Sequence, residues 1–152
     1  METATDFLRK YLSNQPKGEF ADYALLQLAL YYMRKESYPE AIELLERLKQ
    51  DFPKSHLLPD AHYWLGRIYL DMKEFQKAEG NFRPLYESQE DNPWKEEAML
   101  EVANMYYLKG EQRQALSLYE NFEKSFPNSP LLPHAWLKQG EIYLNLEEDD
   151  KA

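Results

Sequence analysis

Residues 61–82 read AHYWLGRIYLDMKEFQKAEGNF: one helix, a tight turn, and the start of a second helix. The rest of the chain repeats this plan. A shift of 37 residues brings Ala24, Ala61, Ala98 and Ala135 into one column and Ala29, Gly66, Ala103 and Gly140 into another. Tyr32, Tyr69, Tyr106 and Tyr143 form a third. Ala4, Ala41, Ala78, Ala115 and Ala152 form a fourth, and Leu8, Leu45, Phe82 and Tyr119 supply a bulky fifth. Self-similarity at a period of 20–50 residues marks a solenoid, so the expected fold is all-α, an α-α superhelix of helix-turn-helix repeats.

The punctuation of the chain sets the expected repeat boundaries within one array, 1–152. Residues 1–16 read as a lone second helix, with Ala4, Leu8, Tyr11 and Leu12 at helical spacing. Full repeats follow at 17–53, 54–90 and 91–127. Their helices are expected at about 20–33, 39–50, 57–72, 74–87, 94–108 and 111–125. Residues 128–152 read as the first helix of a fourth repeat followed by a charged tail. Ser55 is the expected N-cap of the helix that opens repeat two, and Pro84 is expected to kink the second helix of that repeat. FPKSHLLPDA (52–61) and FPNSPLLPHA (126–135) recur at twice the period.

Small residues recur because two helices can cross closely only where no large side chain holds their axes apart. Each repeat alone leaves an apolar face exposed, so neighbours must stack. The tyrosine column fills space between helices and can send its hydroxyl to an edge.

Composition narrows the function. A formal net charge of −9 offers no basic footprint for nucleic acid, and an anionic membrane surface would repel the chain. No stretch approaches the unbroken apolar run of a membrane span, so no direct membrane insertion is expected. The sequence has no cysteine, which removes disulfides and thiolate chemistry. His56, His62 and His134 have neither a second histidine at helical spacing nor a cysteine partner, so no metal is expected. The glycines form no phosphate-cradling loop, no serine lies in a nucleophile elbow, and no carboxylates converge for acid–base work. Neither a cofactor nor catalysis is expected.

The pattern WLGxxY (64–69), followed by Phe75, Ala78 and Phe82, resembles the tetratricopeptide repeat across essentially the whole chain. The slightly long period and the FPxSxLLPxA linkers are similar to bacterial envelope members. Those include the lipoprotein subunit of the outer-membrane β-barrel assembly machine and the periplasmic partner of the Tol–Pal system. The resemblance implies a non-catalytic scaffold that binds a protein or peptide, in the periplasm or envelope, with the cytoplasm as the alternative. Gln112 and Asp149 depart from the pattern where Tyr38 and Phe75 stand, as does Gln89–Glu90 in place of Phe–Pro.

The resemblance also implies a groove lined by first helices. Its stripe contains Leu26, Leu30 and Met33, then Tyr63, Arg67 and Leu70, then Leu100, Asn104 and Tyr107, and finally Leu137, Glu141 and Leu144. All but Arg67, Asn104 and Glu141 are apolar or aromatic, which suits an amphipathic helix or an extended apolar peptide. The stripe offers only Arg67 and Asn104 toward it, so the clamp of paired Lys and Asn residues by which some members hold a terminal carboxylate is not expected. Leu137, Ile142 and Tyr143 are expected to lack a covering helix. A terminal face of that kind suggests a fragment of a longer array, or homo-oligomerisation through the exposed terminal repeat.

Overall fold

The computed structural model describes residues 1–151, and among them there are eight α-helices and no strand. In order they are α1 (Ala4–Asn14), α2 (Ala21–Arg34), α3 (Tyr38–Asp51), α4 (Leu58–Asp71), α5 (Phe75–Glu87), α6 (Lys95–Leu108), α7 (Gln112–Ser125) and α8 (Leu132–Lys151). The chain divides into two compact units, residues 1–81 and 82–152, with the boundary inside α5.

In the first unit α2 packs against α3, α3 against α4, and α1 against α2. Ala29 and Ala41 are fully buried in one core with Leu25, Leu45, Leu48 and Leu65, so the small columns meet where the helices cross. In the second unit α7 packs against both α6 and α8. There Ala103 and Ala115 are likewise fully buried, with Tyr119, Phe122 and Ile142 around them.

The three hairpin turns share one construction. Glu36 and Lys73 adopt φ 58° and 60°, and Gly110 adopts φ 79°. These residues fall 37 apart. Each follows a helix C-cap, and the residue after it donates back to a column tyrosine: Ser37 N to Tyr32 O at 2.9 Å, Glu74 N to Tyr69 O at 2.8 Å, Glu111 N to Tyr106 O at 3.0 Å. A second bond runs from Glu36 N to Met33 O, Lys73 N to Leu70 O and Gly110 N to Tyr107 O. This pair of bonds is the Schellman motif, which satisfies the last carbonyls and favours glycine at the left-handed position. Glu36 and Lys73 hold that conformation despite their Cβ atoms, at a cost of roughly 1–2 kcal/mol each. Glu36→Gly and Lys73→Gly are each expected to stabilise the fold by about 1 kcal/mol or slightly less, since glycine's freer unfolded chain offsets part of the gain. Thermal unfolding of the two variants checks this; a loss of stability in both would contradict it.

The linkers are pinned as well. Ser55, the N-cap expected from sequence, does not cap α4: the N-cap is Leu57, with no side-chain cap bond. Instead Ser55 Oγ accepts from Leu57 N at 3.1 Å and donates to Asp22 Oδ2 at 2.5 Å, tying the linker to the first turn of α2. Ser129 repeats this 74 residues on, accepting from Leu131 N and donating to Glu96 Oε2 at 2.5 Å. Asn92 stands between them in the same column; its Oδ1 accepts from Trp94 N at 3.0 Å and its Nδ2 donates to Leu85 O.

The end of the chain departs from expectation. No turn separates a first helix from a charged tail: α8 runs to Lys151. The turn column holds Glu147 here, followed by Glu148; Glu36 makes the turn at the same column, so residue type alone does not decide it, and both glutamates here are exposed and helical. Ile142 is fully buried in the core of the second unit rather than uncovered. Ala152, the last member of the alanine column, lies outside the described residues.

Candidate functional site

The expected binding stripe lies on two separate faces, one in each unit. In the first unit it is carried by α2 and α4, which contact each other. Leu26 and Tyr63 are buried at 5% and 8% exposure, and act mainly as the floor. Leu30, Met33, Arg67 and Leu70 are half-buried and so accessible at the surface. Leu30 and Met33 pack from outside against the core beneath them. Tyr63 stacks edge-on against Trp64 with ring centroids 5.0 Å apart, which fixes its orientation. Tyr23, one helical turn before Leu26, is 53% exposed and extends the apolar surface. Its spacing of three and seven residues from Leu26 and Leu30 could have marked it in the sequence.

In the second unit the stripe lies on α6 and α8 and has a different chemistry. Leu100 is buried. Tyr107 donates its hydroxyl to Glu141 Oε2 at 2.9 Å, and Lys138 Nζ reaches the same oxygen at 2.8 Å. The Lys138 ammonium lies 4.6 Å from the centre of the Tyr107 ring, a cation–π contact. The hydrogen bond from Lys138, then that from Tyr107, holds the Glu141 carboxyl below the usual carboxylate range. Asn104 is similarly engaged: its Oδ1 accepts the Tyr119 hydroxyl at 2.5 Å and lies 3.1 Å from His134 Nε2. Burial pushes the Tyr119 phenol well above the ordinary tyrosine range, so it stays a neutral donor. Leu137 and Leu144, by contrast, are 61% and 63% exposed.

Asn104, Tyr107 and Glu141 therefore join into polar links between helices of the second unit, together with Lys138, His134 and Tyr119, none of which the sequence reading placed in the stripe. The links from α6 to α8 join residues thirty or more apart, and no short-range pattern signals them. His62 lies 3.3 Å from Asn81 Oδ1, and burial lowers its pKa, favouring the neutral ring. A further cleft of about 420 Å³ opens among α1, α2 and α3 beside Leu12 and Tyr32. Arg9 and Arg47 there face a space shared with Glu40 and Glu43, a mixed charge with no single-sign preference.

Stacked helix pairs, small residues at the crossings and a Schellman turn every 37 residues are matched by family models described as tetratricopeptide repeat, over residues 26–93 and 97–129. The chain belongs to the tetratricopeptide-repeat family. It is similar to the Caenorhabditis briggsae protein named tetratricopeptide repeat protein 21 homolog, with 32% identity over 139 residues. That match covers 90% of this chain, which spans about a tenth of the relative's length. Among solved structures, it resembles a Podosopora anserina protein of nearly identical TPR-like repeats named after the kinesin light chain. Two crystal structures of it, one carrying a single substitution, each give a TM-score of 0.71 at 18% and 17% identity. These matches cover 97% of this chain and 79% and 80% of the other. At that identity the likeness speaks for the fold. Neither protein is one of the bacterial envelope members that the linkers resemble. Among the described residues, no helix is long and apolar enough to cross a membrane.

Proposed function

We propose that this chain is a non-catalytic scaffold that binds an amphipathic helix or extended apolar peptide of a protein partner on the α2/α4 face. The observation that carries the reading is the accessible apolar row of Tyr23, Leu30, Met33 and Leu70 on a buried floor of Leu26 and Tyr63. Rigid first helices supply a preformed surface, so little conformational freedom is lost when a partner docks. On the α6/α8 face, Asn104, Tyr107 and Glu141 are already engaged in hydrogen bonds and serve as supports, while Leu137 and Leu144 remain for contact. Repeats at 17–53, 54–90 and 91–127, flanked by partial ones, are the frame for both faces.

The test is selection from a random peptide library on the immobilised chain. Enrichment of peptides with apolar residues at helical or alternating spacing is expected. The double variant Leu30→Glu/Met33→Glu should lose about tenfold or more in affinity for them. Enriched peptides that bind this variant unchanged would move the site elsewhere. The envelope-assembly reading rests on the FPKSHLLPDA and FPNSPLLPHA linkers; fractionation of the native cell tests it, with a purely cytosolic location the opposing result. A second reading, a self-associating module, is favoured by the open face of α8.

A further inference from the structure

The linker before α6 departs from its two counterparts. In each of the others a phenylalanine caps the preceding helix and packs on the core. Phe52 follows α3 and Phe126 follows α7, and their amides donate to Leu48 O at 3.0 Å and Phe122 O at 2.9 Å. Gln89 occupies that column and is exposed. Downstream, Lys95 occupies the column of Leu58 and Leu132. Leu58 packs against the core of the first unit, and Leu132 is buried in that of the second. Two apolar residues of the linker seat are thus replaced by polar ones, and a cleft of about 510 Å³ opens beside them. Met99, Tyr86 and Phe126 supply its apolar walls: Met99 is buried, and the two aromatic rings are half-buried against the core of the second unit. That volume falls in the roughly 300–1,000 Å³ range of pockets that enclose a ligand group.

The cleft keeps its shape without the aromatic ring because side chains hold the linker in place. Lys95 Nζ donates to Ser88 O at 2.8 Å, and Ser88 Oγ accepts from Glu90 N at 3.1 Å. Asn92 ties Leu85 O to Trp94 N. A second cleft of about 390 Å³ adjoins the first across Asp91, Lys95 and Phe126. Charge around the pair is one-sided, with Glu87, Asp91, Glu96 and Glu97 on the border against Lys95. The Lys95 ammonium is held by the Ser88 carbonyl, and Glu87 and Glu96 already accept from Arg83 and Ser129. Asp91, which is exposed, and Glu97, half-buried, are left for an incoming cation.

We infer that this cleft is a second docking site, on residues other than those of the α2/α4 face, and that it receives an aromatic side chain of a protein partner carried between lysines or arginines. The ring takes the role that Phe52 and Phe126 fill in their own linkers, against Met99, Tyr86 and Phe126. An aromatic anchor in a preformed pocket carries much of the binding energy of a protein contact. The flanking cations meet Asp91 and Glu97, which speeds encounter and turns away acidic segments. Pocket and rim together select the partner: an acidic aromatic segment fits the first and is repelled by the second.

The probe is a labelled peptide, Lys-Arg-Phe-Arg-Lys between glycine-serine flanks with blocked ends, titrated by fluorescence anisotropy and followed by amide NMR shifts on the whole chain. Saturable binding is expected, with shifts at Gln89, Asp91, Lys95 and Phe126. Alanine in place of the peptide's phenylalanine should weaken it about tenfold or more. Gln89→Phe gives the linker its own ring, so it should keep the native circular dichroism spectrum and lose about tenfold or more in affinity. Asp91→Lys, at an exposed rim position, should weaken binding severalfold and reduce its salt dependence. The Leu30→Glu/Met33→Glu variant should bind this peptide unchanged, so the result stands apart from the α2/α4 reading. Equal binding of the alanine peptide would mean that the acidic surface attracts any cation, and overturns the site. Unchanged binding by Gln89→Phe, shifts confined to other residues, or no binding at millimolar peptide overturns it as well.

Discussion

Phe122→Ala is expected to remove about 3–5 kcal/mol of stability, the cost of deleting a fully enclosed aromatic ring and leaving a cavity. Phe122 is 0% exposed, with its ring 5.2 Å from that of Phe126, and shares its core with Ala115, Tyr119 and Ile142. That loss is a large share of the roughly 5–15 kcal/mol that holds a typical domain together. In stacked repeats, stability is close to a sum of each repeat's own term and its nearest-neighbour terms, so damage stays local. Urea unfolding of the variant should therefore separate into two transitions. Amide exchange should lose protection in α6, α7 and α8 while the amides of α2, α3 and α4 keep theirs. A single transition displaced by less than about 1 kcal/mol would show that the ring is not the keystone of the second unit.

Much of this architecture is legible in one sequence because its signals are periodic. Small residues at 29, 66 and 103 and at 41, 78 and 115 mark helix crossings, and all are buried in the structure. Helices α1 to α7 lie close to the spans that the apolar stripes, prolines and glycines imply. The end of α8 escapes the column pattern: Leu146 still packs against the core of the second unit, while Glu147 to Asp150 are exposed and continue its helix. Ser55 escapes sequence reading because its role depends on Asp22, which lies 33 residues away and touches it only after α2 and the linker are in place. The Asn104–Tyr119–His134 link is invisible for the same reason: each residue alone is ordinary, and only packing brings the three polar atoms together. The α2/α4 stripe follows from helical projection, but projection cannot divide it into buried floor and accessible rim. That division depends on how closely the neighbouring helix approaches.

The sharpest stability test of the crossing columns substitutes two members of a single column and expects opposite signs. Ala103 is fully buried and shares its core with Ala115, also fully buried, so α6 and α7 approach closely there. Ala103→Leu must force the helices apart or its own side chain out of a favoured rotamer, at a cost of about 1–3 kcal/mol or more. Gly140 occupies the same column in α8, but its added side chain would project into open space. Gly140→Leu removes a glycine from an exposed helix interior and should stabilise α8 by about 0.8 kcal/mol. Thermal unfolding at low protein concentration, where copies are separate, should therefore place the two variants on opposite sides of the unaltered chain. If Gly140→Leu destabilised as much as Ala103→Leu, the stripe on α8 would be covered in solution even by the isolated chain.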